Sequence, residues 1–95
     1  MLEEKQTALF AQLVIMFQGA CMQHLGKIKN PMTDKVERDL EQAQGMIDLL
    51  EMLAAKTKGN LSKEEEGFVT NIIRELKLNY VDESGKEDVK EQDAS

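Results

Sequence analysis

The sequence predicts an all-α protomer of three helices, and three observations carry that prediction. Leu, Met, Glu, Lys, Gln and Ala dominate the 95 residues, while proline occurs once and tryptophan not at all, a mixture that favours helix over sheet. Apolar residues recur at steps of three and four in two amphipathic segments. Capping sequences and well-placed glycines punctuate those segments. The length suits one domain, near the small end of what forms its own core.

The first helix spans about Glu4 to Leu25, and Gly26 stops it. Its centre, ALFAQLVIMFQGACMQHL (Ala8–Leu25), holds no formal charge in a chain that is 32% charged. On a wheel of about 100° per residue, Phe10, Val14, Phe17, Cys21 and Leu25 form one stripe. Leu9, Leu13, Met16 and Ala20 form a second, and Ala8, Ile15, Gly19 and Met22 a third. The polar Gln12, Gln18, Gln23 and His24 gather on no single side. A helix apolar nearly all round must be covered nearly all round.

The connection that follows reads GKIKNPMTDKVER. Pro31 fixes the second position of a type I turn at NPMT. Ile28 and Val36 are flanked by charges, so a very short β-hairpin about Asn30–Thr33 competes there with an open turn. The second helix starts at Asp39, whose side chain can accept from early backbone amides, with Gln42 placed to complete a capping box. Leu40, Ala43, Ile47, Leu50 and Ala54 form its apolar stripe. Met46, Leu49 and Leu53 widen it, with Glu41, Gln44, Asp48 and Glu51 opposite. Lys56 and Lys58 suit its negative end, and Gly59 can take the left-handed conformation that closes it.

The third helix begins at Ser62, where SKEE is a second capping box with Glu65 reaching back. Phe68, Val69, Ile72, Ile73, Leu76 and Tyr80 form its inner stripe. The short link predicts an antiparallel hairpin of helices two and three. Residues 1–81 then form a single helical domain. Residues 82–95, six acids against two lysines, read as a disordered acidic tail, because such a segment buries too little apolar surface to offset its ordering entropy.

Composition narrows the function. A net charge of −6 argues against nucleic acid or an anionic lipid surface as the main partner. One cysteine favours a reducing compartment, and MLEEKQT lacks the basic start of a secretory signal. Gln6 to Gly26 is an uncharged run of roughly membrane-spanning length. Its glutamines and histidine oppose insertion, because they carry polar groups into hydrocarbon. Membrane association through helix one is therefore an alternative reading rather than the leading one.

Cys21 and His24 lie three apart and could form a nucleophile–base pair or half of a metal site. Two groups are not four ligands, and a buried thiol beside a polar histidine accounts for both. The carboxylates Asp48, Glu51 and Glu64–Glu66 read as a solvated face and a helix cap. The sequence therefore predicts no enzyme, no cofactor and no metal. A small-ligand or metal-binding bundle using Cys21 and His24 stays as a second alternative.

Two stretches, HLGKIKNP (His24–Pro31) and IDLLEMLAAKTKGNLSKEEEGFVTNIIRELKLNYV (Ile47–Val81), resemble a small bacterial family catalogued as domain of unknown function 1844. The resemblance covers about Leu9 to Val81. Its most specific part is DLLEML-x₃-TKGNLS-x-EEE, Asp48 to Glu66. Members usually show a glycine-containing turn after the NP pair, where MTDK stands here. The resemblance implies a short helical protein of the bacterial cytoplasm and brings no reaction or ligand with it.

The leading expectation is thus a non-catalytic interaction or scaffold protein that associates with itself, as a homodimer or higher oligomer, with helix one in the oligomer core. Leu9, Leu13, Met16, Phe17, Gly19 and Ala20 are the expected self-association residues. The acidic helical faces and tail would suit a basic protein partner.

Overall fold

The computed structural model describes residues 2–94, with side chains described for residues 2–86. Three helices account for most of it: α1 (Leu2–His24), α2 (Leu40–Lys56) and α3 (Lys63–Ala94). All three pairs pack against one another. α1 and α2 run antiparallel because the chain doubles back between them, with the His24 carbonyl accepting from the Asp39 amide at 2.7 Å. α2 and α3 form the expected antiparallel hairpin, pinned across its face by Lys77 on Glu51 at 2.6 Å. α3 is therefore parallel to α1.

The core is built from the stripes that the 3.6-residue period selects. α1 contributes Val14 and Cys21, with Leu25 just beyond its end. α2 contributes Ala43, Ile47 and Leu50, and α3 contributes Val69, Ile72 and Leu76. Phe10, Phe17, Met22, Leu40, Met46, Leu53, Phe68, Ile73 and Tyr80 pack around them, half-buried.

The helix ends follow local chemistry. Ser62 and Glu65 form the reciprocal box: the Ser62 amide donates to Glu65 Oε1 at 2.8 Å, and the Glu65 amide donates to Ser62 Oγ at 3.1 Å. Asp39 caps α2 by accepting from the Gln42 amide at 3.1 Å. Its own amide goes to His24 instead of to a Gln42 side chain, so only half of the expected box forms. Gly26 and Gly59 take positive φ, 77° and 90°, as helix-ending glycines do. At Gly26 an added Cβ would also stand 3.3 Å from Arg38 Cβ.

The short hairpin between α1 and α2 survives only as two isolated antiparallel bridges, Leu25 with Arg38 and Asn30 with Lys35. The turn is anchored by Asn30, whose side-chain oxygen accepts from the Met32 amide at 2.8 Å. Asp34 closes it at φ 56°, a conformation that glycine enters freely and a β-carbon disfavours.

The tail requires a correction. α3 continues without a break past Val81, and Glu83 is buried beneath Lys27 and Arg38. Local composition weighs six acids against two lysines and sees no core. The cations that hold Asp82 and Glu83 come from far earlier in the chain. The rest of the expected tail, 87–95, lies outside the residues whose side chains are described.

Candidate functional site

Three features stand out once the core is set aside. The first is the outer flank of α1. Leu9 is 53% exposed, Leu13 38% and Met16 62%, although these residues sit in the least polar part of the chain. Together with Leu2, Gln6, Ala20 and Gln23 they recur at alternating steps of four and three, in the order Leu2, Gln6, Leu9, Leu13, Met16, Ala20, Gln23. That alternation is the seam spacing of a helix packed against another helix. No helix within the subunit covers this flank, because α2 and α3 both sit on the Val14–Cys21 side.

The expected interface residues therefore divide. Leu9, Leu13 and Met16 share the exposed flank, and Ala20 continues it half-buried. Phe17 packs against the core, because its register places it between the two sides. Gly19 lies on the far side of the helix with open space about it. Leu2, Gln6 and Gln23 continue the same alternation two turns toward the N-terminus and one toward the C-terminus, beyond the residues that the sequence reading singles out.

The second feature is a polar cleft of about 310 Å³ lined by Gln23, His24, Asn30, Glu37, Arg38 and Asp39. It sits where the α1–α2 connection folds back on itself. The structure separates the pair that the sequence drew together. His24 opens into this cleft, whereas Cys21 is fully buried, with its thiol on the Ala43 carbonyl at 3.4 Å. Burial pushes the Cys21 thiol up to about 11, so it stays protonated and poorly nucleophilic. Among the described residues no group of three or more His, Cys, Asp and Glu side chains is placed to hold a metal ion.

The third feature is a charged clasp at the same end of the bundle. Glu83 accepts from Lys27 at 2.8 Å and from Arg38 at 2.9 Å. Arg38 also donates to the Glu83 backbone carbonyl at 3.3 Å, and Asp82 takes Lys27 at 3.0 Å and Lys86 at 3.3 Å. The Lys27 ammonium, ahead of the opposing effect of burial and with help from Arg38, holds the Glu83 carboxyl down at about 2. Lys27 is correspondingly raised, chiefly by its bond to Glu83. Two carboxylates here share three cations, with Glu83 and Arg38 enclosed and Asp82 and Lys86 at the surface. The cluster ties the connection to α3.

No helix among the described residues is long and apolar enough to cross a membrane. The chain belongs to the family described as "Domain of unknown function (DUF1844)", whose model matches residues 7–83. No curated protein and no solved structure matches it.

Proposed function

We propose that this member of the family is a non-catalytic scaffold that associates with itself through the outer flank of α1 and offers its acidic surfaces to a basic protein in the cytoplasm. The observation that carries this reading is the seam-spaced run Leu9, Leu13, Met16 and Ala20, left open in the isolated subunit. Apolar side chains so spaced gain roughly 25 cal/mol for each Å² removed from water. A helix of matching pattern removes that surface most completely. The partner half rests on the net charge of −6 and on the exposed carboxylates of Glu41, Asp48, Glu64 and Glu66. The enclosed, protonated Cys21 supports a role without covalent chemistry.

The test is molar mass by light scattering across a concentration series, for the wild type and for Leu13→Glu. The reading expects a wild type heavier than its 10.7 kDa chain and a variant that returns to one chain while keeping its helical circular dichroism. A wild type that stays monomeric at every concentration overturns it.

A further inference from the structure

The flank of α1 is too small to hold two copies together by itself. Its length is about 35 Å at 1.5 Å per residue and its width about 10 Å, on the order of 350 Å². A stable interface needs roughly 600–1,000 Å² from each partner. Something must extend it, and α2 carries a matching seam. Gln42, Met46, Leu49, Leu53 and Lys56 repeat the same alternation of four and three. Leu49 is 38% exposed, and beside it Met52 is 47% exposed.

The register of each helix shows that the two seams open on one side. On α1, Thr7 and Ala11 line a cleft with Glu64 and Phe68 of α3, which fixes the α3-facing flank. On α2, Glu51 is bonded to Lys77, and Ala55 borders Val69 and Thr70. Each seam lies on the opposite flank of its helix. Because α1 and α2 are antiparallel, both seams face away from α3 and join across the groove between the two helices. The combined face is on the order of 600 Å² in projection, two helices wide at about 10 Å spacing.

Charge selects the occupant. No acid occurs between Glu4 and Asp34. Of the three acids of α2, Glu51 faces α3, and Glu41 and Asp48 lie on the outer side of the helix, off the seam. In a chain of net charge −6, this is the face on which two identical molecules meet without opposing carboxylates. We infer that a second copy of the chain docks on the joined α1–α2 face, giving a four-helix core with each α3 outside it. The inference rests on the self-association proposed above and adds α2 to it.

The experiment compares dimer dissociation constants by sedimentation for the wild type, Leu13→Glu, Leu49→Glu, Met52→Glu and Leu78→Glu. Leu78 is 65% exposed on the outer side of α3 and serves as the control. Placing an unmatched carboxylate in the covered face should weaken association roughly 100-fold or more for the α1 variant and for both α2 variants. Leu78→Glu should change it by less than about threefold. Two α2 positions are used so that one poorly folded variant, identified by its melt, does not decide the outcome. If Leu13→Glu dissociates while both α2 variants remain dimeric, the α1 reading stands and the α2 face is overturned. Equal weakening by Leu78→Glu overturns it as well. A monomeric wild type, including one that floats with lipid vesicles, removes both readings.

Discussion

Replacing Glu83 with glutamine tests the charged clasp, since it keeps the side chain's length and removes only its charge. A carboxyl lowered from 4.5 to about 2 carries at most about 3 kcal/mol of preference for its ionised form, at ~1.36 kcal/mol per pH unit. That ceiling needs a discount. The Glu83 side chain is only 8% exposed, but Lys27, itself 24% exposed, forms much of its cover. Water therefore lies just beyond the ammonium and screens the pair. About 2 kcal/mol is the expected loss at pH 7, a drop on the order of 10 °C in melting temperature for a domain of this size. The native carboxyl titrates below the unfolded one, so its contribution is complete above about pH 5. It fades as pH falls through 4.5 toward 2 and is gone below that. Urea unfolding followed by circular dichroism at pH 7, 4 and 2 measures this directly. The wild type and Glu83→Gln should converge as the solution is acidified. A gap under about 0.5 kcal/mol at pH 7, or one that persists at pH 2, would refute the electrostatic account.

Other substitutions probe the remaining features. Asp34→Gly relieves the left-handed turn residue at φ 56° and should stabilise the fold by about 0.5–1 kcal/mol, read as a raised urea midpoint; no gain would mean that the turn is unstrained. Leu76→Ala empties a core position that is 1% exposed and should cost about 2–5 kcal/mol in the same assay. Cys21, the one cysteine, should resist a thiol-reactive dye in native buffer and label at the rate of unfolding, with protection rising alongside urea stability. Rapid labelling of the native protein would show that the thiol is reachable. Its raised value also implies a folded state that loses stability as pH climbs from 9 toward 11.

Much of this architecture is legible in the sequence because it is set within a few residues. Ser62 and Glu65 lie three apart, and each satisfies the other's orphan backbone group. Gly26 and Gly59 stop helices where a side chain would be strained. The 3.6-residue period places Ile47, Leu50, Val69 and Leu76 inside without reference to any partner. What escaped has the opposite character. Glu83 is separated by 45 residues from Arg38, and Asp82 by 55 from Lys27. No local pattern distinguishes these acids from those that follow. Phe17 reads as an interface residue because it lies about 40° from Leu13 on the helical wheel, and only the positions of α2 and α3 decide between the two sides. His24 displaced Gln42 as the partner of the Asp39 amide for a related reason, since the doubling-back of the chain brings a carbonyl that sequence spacing does not show.

The joint between α1 and α2 also limits how copies of the chain can be combined. Trading α1 between two molecules requires the joint to straighten. That would break the His24–Asp39 bond, both bridges and the grip of Lys27 and Arg38 on α3 together, with Gly26 leaving its positive φ. A hinge locked at so many points resists domain swapping. Docking of finished subunits, by contrast, leaves every one of these contacts in place.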